Sequence, residues 1–323
     1  MGENFTRYPS KCLKLFEKHR ATNMVTSLAN QPQAANWQWQ GFSIRYQYAG
    51  TTGPAVILIH GFGASSGHWR KNIAELAQNH RVYAVDLIGF GQSSKPTPGT
   101  LVPGQSIAYE FETWGQQIVD FCQEVVGEAA CLVGNSIGSI VALQAAVLAP
   151  QLTTSVVMLD CSLRLLHDRK RAGLPWYRKF SAPLFQSVLS VKSIGHFFFH
   201  RLARPKTVRQ ILEQAYGRTE AVTDELVDLL IQPALDPGAA DVFLAFINYA
   251  QGPLPEDLLA EIACPVLCIW GADDPWEPVD LARELTQFSR VEDFIVLDGV
   301  GHCPQDEDPH QVNQIVSNWI ATR

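Results

Sequence analysis

Ser136 stands in the run Gly134-Asn135-Ser136-Ile137-Gly138, between the apolar stretch Ala130-Cys131-Leu132-Val133 and a helical run that opens at Ile137. A serine between glycines at a strand-to-helix turn is in the setting of a nucleophile. The turn strains the backbone, the glycines remove Cβ clashes, and the helix N-terminus offers unpaired N–H groups to an anion forming there. A serine hydroxyl is a poor nucleophile at neutral pH until a base takes its proton and a third group holds that base. Downstream, the strand-like run Pro265–Trp270 leads into Asp273 and Asp274, and a second run, Phe294–Leu297, leads into His302. An acid after one strand and a histidine after the next reach the same sheet edge as the serine, so the chemistry expected is nucleophilic acyl transfer by Ser136, His302 and Asp274. Asp274 is preferred over Asp273 because Pro275 restricts the chain where it must turn inward. Asp160, closing the run Val156–Leu159, is an alternative acid at the same edge.

The oxyanion of such a reaction needs two preorganised N–H donors. Ile137, the residue after the serine, supplies one backbone donor; Phe62, in the loop His60-Gly61-Phe62-Gly63 after the run Ala55–Ile59, supplies the other. His60 reads as an anchor of that loop, with substrate contact as its second reading; Asn135, Trp176, Phe197 and Phe198 are the remaining candidates for substrate contact.

The elements that must position these residues alternate. Strand-like runs fall near 43–48, 55–59, 81–86, 130–134, 155–159, 265–270 and 293–297, with helical stretches between them. The runs are continuously apolar rather than alternating, as in a parallel sheet covered on both faces. Trp69, Ile73, Leu76 and Ala77 recur at helical spacing, and Ile137–Leu148 is apolar nearly all round, the mark of a buried helix. Between about 162 and 262 the alternation breaks.

At 323 residues, 46% hydrophobic and 18% charged, the chain suits one large α/β domain with a sizeable core. No apolar run approaches the length of a membrane span, and the first 35 residues carry no apolar stretch of a secretory signal. Seven cysteines without disulfide or metal-binding spacing suit buried thiols in a reducing compartment. His196 and His200 have the spacing of a metal-binding pair but no third ligand in view, so neither metal nor cofactor is expected.

Charge is uneven. Ser162–Gln210 holds eleven Lys and Arg against one acid, a net +10, while the rest of the chain is at −17. Seven aromatics share that segment, Trp176, Tyr177, Phe180, Phe185, Phe197, Phe198 and Phe199. Interleaved cations and aromatics suit contact with an anionic membrane surface; an ordinary solvated basic face is the plainer reading. The acidic remainder argues against a nucleic-acid partner.

His60-Gly61-Phe62-Gly63, Asp86-Leu87-Ile88-Gly89-Phe90-Gly91-Gln92-Ser93, the serine turn, Trp270-Gly271-Ala272-Asp273-Asp274-Pro275-Trp276 and Gly301-His302 together resemble the α/β-hydrolase superfamily over about residues 37–321. Haloalkane dehalogenases and epoxide hydrolases of that superfamily carry an aspartate nucleophile, so Ser136 points away from both. The resemblance implies an α/β-hydrolase fold: a mostly parallel central sheet, helices on both faces, and a helical cap inserted between strands 6 and 7. The corresponding division is an N-terminal extension at 1–36, a core at 37–161 and 263–323, and a cap at 162–262.

Phe111-Glu112-Thr113-Trp114-Gly115, Val222-Thr223-Asp224-Glu225-Leu226, Asp241-Val242-Phe243-Leu244, Gly252–Leu259 and Gly301–Glu307 are similar to the chlorophyll dephytylases, with the pheophytinases as a neighbouring group. That likeness implies hydrolysis of the phytyl ester of chlorophyll, or of a related phytylated tetrapyrrole, to chlorophyllide and phytol without a cofactor. It also implies a peripheral place on the thylakoid or in the cytoplasm of a cyanobacterium, or in a plastid. A twenty-carbon tail crossing water would cost more than about 10 kcal/mol at ~0.8 kcal/mol per CH₂, so such an enzyme should take its substrate directly from lipid. Rival readings are a pheophytin-specific hydrolase, a general long-chain carboxylesterase, a carbon–carbon bond hydrolase, and a non-catalytic receptor on the same scaffold.

Overall fold

The computed structural model describes residues 30–102, 105–170 and 188–323. Among them eight strands share one sheet: β1 (Gln33–Trp39), β2 (Phe42–Ala49), β3 (Ala55–Ile59), β4 (Arg81–Val85), β5 (Ala130–Asn135), β6 (Thr153–Leu159), β7 (Val266–Gly271) and β8 (Val291–Leu297). Their order across the sheet is β1-β2-β4-β3-β5-β6-β7-β8. β1/β2 and β2/β4 are antiparallel, and every pairing from β4 to β8 is parallel. The mostly parallel sheet is the one expected.

β3, β5 and β7 are buried at every position, because helices cover both faces. Ile57 and Ile59 of β3 point into one core half with Trp114, Ile140 and Trp270; Val56 and Leu58 point into the other with Trp69, Val133 and Trp319. At the far edge β8 carries exposed Glu292 and Asp293, charges that discourage pairing with another chain.

β1 is an addition to the seven expected strands. Only Trp37 and Trp39 of its residues are buried, and the polar Gln33–Asn36 gives no apolar run. Its place is set by the two indoles, which donate to Glu124 (2.9 Å) and Asp120 (2.7 Å).

Helices α1 (Ile73–Leu76), α2 (Phe111–Phe121) and α3 (Ile137–Leu148) flank the sheet's first five strands. α3 spans the run expected of it. The face expected around Trp69–Ala77 is buried, but a 3₁₀ turn at Ser66–Trp69 and one α turn share it. Between β6 and β7 lie α4 (Lys192–Leu202), α5 (Pro205–Ala215), α6 (Asp224–Ala234), α7 (Ala239–Ile247) and α8 (Pro255–Glu261). α6 is capped by Thr223, whose hydroxyl accepts from the Leu226 N–H at 3.2 Å. After β7 come α9 (Val279–Ala282), α10 (Pro304–Glu307) and α11 (Pro309–Ile320). No single helix among the described residues is long and apolar enough to cross a membrane.

Candidate active site

The turn between β5 and α3 consists of one residue. Ser136 has φ 56° and ψ −120°, a conformation that L-residues adopt only when their surroundings impose it. Its N–H donates to the Leu159 carbonyl at 2.9 Å, and its carbonyl accepts from the Ser139 and Ser162 N–H groups at 3.1 and 3.2 Å. The flanking glycines are steric necessities: a Cβ on Gly134 would lie 2.2 Å from the Gly138 carbonyl oxygen, and one on Gly138 would lie 2.4 Å from that of Ile59. Ser139, on the first turn of α3, donates its hydroxyl to the Gly134 carbonyl at 2.8 Å, closing the turn from below.

His302 follows β8 and donates Nδ1–H to Asp274 Oδ2 at 2.7 Å, both side chains being almost fully buried. That bond fixes the tautomer and leaves Nε2 as the acceptor. The other Asp274 oxygen accepts from the N–H groups of Trp276 (2.8 Å) and Glu277 (3.1 Å). Burial alone would raise the Asp274 pKa; the bonds from His302 and Trp276 outweigh it and hold the carboxyl below its ordinary range. The loop around His302 is tied on both sides of the histidine. Its N–H donates to the Ala215 carbonyl (2.8 Å), its carbonyl accepts from Asn135 Nδ2 (3.0 Å), and Glu307 accepts from Gly301 and Cys303 on either side (2.9 and 3.1 Å).

Asp160, the alternative acid, lies behind Asp274. It is fully buried, held at φ 42°, and accepts the Gly271 N–H on Oδ1 at 2.9 Å. Its other oxygen, Oδ2, is buried with no hydrogen-bond partner among the described residues. Burial and the Asp274 charge push the Asp160 pKa well up, which favours the neutral acid beside Asp274. Donor atoms of Asp160, Asp274 and His302 lie within 4.8 Å of one another, a spacing that a cation could bridge. The Nδ1–H bond of His302 already occupies Asp274 Oδ2.

The pairing predicts unequal mutants. Asp160→Asn should keep kcat/KM within about tenfold of wild type, since the amide can still accept from Gly271 and donate to Asp274. If Asp160→Asn and Asp274→Asn instead reduced steady-state turnover equally, Asp160 would have to share the orienting role.

The loop expected to supply the second oxyanion donor packs against the serine: a Cβ on Gly61 would lie 3.2 Å from Ser136 Cβ. His60 does not face this space. It is fully buried, donates Nδ1–H to the Gly61 carbonyl (2.8 Å) and accepts the Leu87 N–H on Nε2 (3.1 Å), so it staples two loops together and its substrate-contact reading is corrected. Asp86 completes the staple by accepting from the Ser66 and Gln92 N–H groups, each at 2.6 Å. Ile137, at 4% exposure, heads α3 beside Ser136. Phe62 is half-buried, its ring stacked on Phe246 at 4.8 Å with Phe243 at 5.6 Å and Phe90 at 5.7 Å.

The other expected contacts separate. Asn135 is buried and spends its amide on the carbonyls of His302 and Leu159, so it orients the histidine loop rather than a ligand. Phe197 is 67% exposed on α4, too open to line a closed site. Phe198 is half-buried on the same helix. Trp176 lies outside the described residues. His196 donates Nε2–H to Asp241 Oδ1 at 2.7 Å, which occupies one member of the His196/His200 pair. The six described cysteines are buried and unpaired.

Two residues next to the histidine had no role assigned from sequence. The Trp276 ring meets the His302 ring edge-on at 4.8 Å while remaining 44% exposed, so it walls the imidazole toward solvent. Glu307 clamps the histidine loop and also accepts the Arg218 N–H at 3.0 Å, linking that loop to the chain after α5. An acid five residues beyond the histidine was the available signal.

Glu277, beside Asp274, accepts the Leu163 N–H at 2.9 Å, and burial pushes its pKa up to about 7 from 4.5. The unfolded chain releases this proton near the lower value, so the folded state binds more protons in between. Stability should therefore fall as pH rises through that window, by at most about 1.4 kcal/mol per unit, and level off above it. Thermal unfolding at several pH values checks this: Glu277→Gln should gain on wild type as pH rises toward neutrality, whereas parallel curves would contradict it.

The cations of the 162–210 segment do not form one free face. Arg169 pairs with Asp257, Lys170 with Glu256, Lys192 with Asp241 and Arg209 with Asp224. Arg164 lies over the rings of Phe111 and Tyr249 at 4.9 and 5.0 Å and donates to the Pro253, Tyr249 and Gln251 carbonyls. These partners come from distant positions in the chain, which local charge counting does not see.

An apolar pocket of about 50 Å³ adjoins the Phe62 loop, lined by Phe62, Phe90, Phe199, Val242 and Phe243 among others. A larger cavity of about 680 Å³ lies between Arg45, Ser66, Asp86 and helix α6; neither Ser136 nor His302 lines it, and most of its lining residues are polar or charged.

The model of the alpha/beta hydrolase family matches residues 56–315. The chain is 26% identical over 308 residues to a chloroplastic pheophytinase of Arabidopsis thaliana, covering 86% of this chain and 64% of that protein, so it spans less than two thirds of this relative. It is 25% identical over 291 residues to a 2-hydroxy-6-oxo-6-(2'-aminophenyl)hexa-2,4-dienoic acid hydrolase of Metapseudomonas resinovorans, covering 88% of this chain and 89% of that one. A solved epoxide hydrolase without ligand superposes with a TM-score of 0.74 at 19% identity, covering 90% of this chain and 99% of that one. That last likeness is one of fold.

Proposed function

We propose a reaction on one premise: the chain belongs to the alpha/beta hydrolase family. Within it, the protein is a serine hydrolase for long-chain carboxylic esters, with the phytyl ester of chlorophyll or pheophytin as the substrate class. The observation that carries the hydrolytic reading is the 2.7 Å Asp274–His302 bond at the sheet edge where Ser136 is held in its strained turn. The apolar, largely aromatic lining of the small pocket next to the Phe62 loop supports an apolar substrate group at that loop. The pheophytinase relative supports the phytylated class.

In the proposed reaction His302 Nε2 takes the Ser136 proton as Oγ attacks the ester carbonyl carbon. The Phe62 and Ile137 N–H groups hold the oxyanion, and His302 returns the proton to the departing alcohol oxygen. Water, deprotonated by His302, then attacks the acyl-serine; its hydroxyl goes to the carboxylic acid product and its proton back to Ser136 Oγ. Asp274 keeps the imidazole in one tautomer, and Asp160 keeps Asp274 in place. No step calls for a metal or a cofactor. The substrate places the protein at a photosynthetic membrane, on the cytoplasmic or plastid side.

Chromatography of products from chlorophyll a and pheophytin a in liposomes tests the substrate class. Free phytol with chlorophyllide or pheophorbide, absent with Ser136→Ala, is the expected result. Cleavage of a fatty ester without pigment cleavage would reduce the reading to a general long-chain esterase. Cleavage only of a 2-hydroxy-6-oxo-dienoic acid, the kind of substrate in the Metapseudomonas relative's name, would replace it with the carbon–carbon hydrolase reading.

A further inference from the structure

Helix α4 is apolar on two sides. Its inner side carries buried Gly195 and Phe199, and the Phe199 ring meets Phe243 at 5.1 Å in the wall of the pocket that reaches Phe62. A Cβ on Gly195 would lie 2.6 Å from the Leu244 side chain, so the helix sits close on α7. Four exposed large apolar residues follow one another along the chain here: Val188 and Val191 just before α4, 43% and 50% exposed, and Ile194 and Phe197 on its outer side, 44% and 67% exposed. A soluble chain rarely leaves such a stripe open to water.

The charges at the end of the stripe indicate what it meets. Arg201, Arg204 and Lys206 lie there, Arg201 and Lys206 exposed and Arg204 with them on the short turn before α5, and the Arg201 guanidinium lies 5.7 Å over the Phe197 ring. No acidic residue occurs in the sequence from 169 to 212. The acid that does approach α4, Asp241, bonds to Lys192 and His196 and is largely buried, so it sets no counter-charge on the stripe. Apolar side chains that end in cations match a surface with an oily interior and anionic headgroups.

We propose that the outer side of α4 with the residues leading into it, Val188, Val191, Ile194 and Phe197, and with Arg201, Arg204 and Lys206 at its end, docks on an anionic lipid bilayer. The helix then lies in the interface, apolar side chains among the upper acyl chains and cations at the headgroups. Its inner face already walls the apolar pocket, so a chain drawn from the bilayer passes one helix thickness to reach Phe62. That use in catalysis rests on the long-chain ester reading above; the docking itself does not.

Sedimentation of the full chain with phosphatidylcholine vesicles, with and without phosphatidylglycerol, measures the docking without any substrate. Binding to the anionic vesicles, weakened by salt, is expected, and Ile194→Asp with Phe197→Asp should lower it about tenfold or more, as should Arg201→Glu with Arg204→Glu. Phe197→Trp, a mild change, should show a blue-shifted emission on the vesicles that brominated lipid quenches. All variants should keep wild-type turnover of a short, water-soluble ester, which checks that each is folded. Docking without ester turnover would overturn the proposed function and leave this inference standing; ester turnover without docking would do the reverse. Unchanged binding of the Asp variants, an unshifted emission from the Phe197→Trp variant, or a solution dimer that Phe197→Asp dissolves would each overturn the docking.

Discussion

Ser136→Ala is expected to lower kcat for a long-chain ester by about 10⁶, to the rate that binding and the oxyanion donors alone sustain. The loss is large because no neighbouring group can replace the hydroxyl. Asn135 is committed to the His302 loop, Ser139 donates to the Gly134 carbonyl, and the Ser162 hydroxyl accepts the Arg164 N–H at 3.4 Å. The protein should fold normally, since alanine removes only an oxygen from a half-buried position and the strained backbone is held by hydrogen bonds of Ser136's main chain. Steady-state assays with matched thermal unfolding curves separate the two effects. An alanine variant with more than about a thousandth of wild-type activity would require a different nucleophile.

Asp274→Asn is expected to lower kcat by about 10⁴ with little change in KM. An amide at this position can accept from the Trp276 and Glu277 N–H groups with its oxygen, which turns its NH₂ toward His302 Nδ1. The imidazole would then carry its proton on Nε2, where it cannot accept from the serine. Part of the deficit should return at high pH, where other routes for the serine proton open, and a pH–rate profile would display it. A loss smaller than about tenfold would mean that the aspartate does not set the tautomer.

The parts of this site readable from sequence are those made by neighbours in the chain. Ser136 was legible because strand, glycine, serine and helix follow one another, and Asp274 and His302 because each stands just after an apolar run. The proline after Asp274 separated it from Asp273, whereas Asp160 stayed an alternative; the structure adds what no local pattern holds, that His302 bonds Asp274 while Asp160 is buried behind it. His60 and Asn135 illustrate the limit. Both flank the reactive loops in sequence, yet their side chains turn inward to bond Leu87 and His302, 27 and 167 residues away.

Elements whose stability comes from distant partners were missed or misjudged for the same reason. β1 lacks strand-like residues and exists because Trp37 and Trp39 find acids on and after α2. The +10 segment reads as a basic face in one dimension, but Asp224, Asp241, Glu256 and Asp257 fold back to neutralise part of it, and among the described residues Arg201, Arg204 and Lys206 at the end of α4 remain as a cationic group.

Labelling with a fluorophosphonate, followed by peptide mass mapping, addresses the covalent chemistry at Ser136 most directly. One adduct per chain, located on Ser136, formed at a rate that Asp274→Asn slows and Ser136→Ala abolishes, is the result expected of an activated serine. Labelling of another residue, or none at all on a protein that still cleaves esters, would contradict the assignment of Ser136 as the group that carries the acyl intermediate.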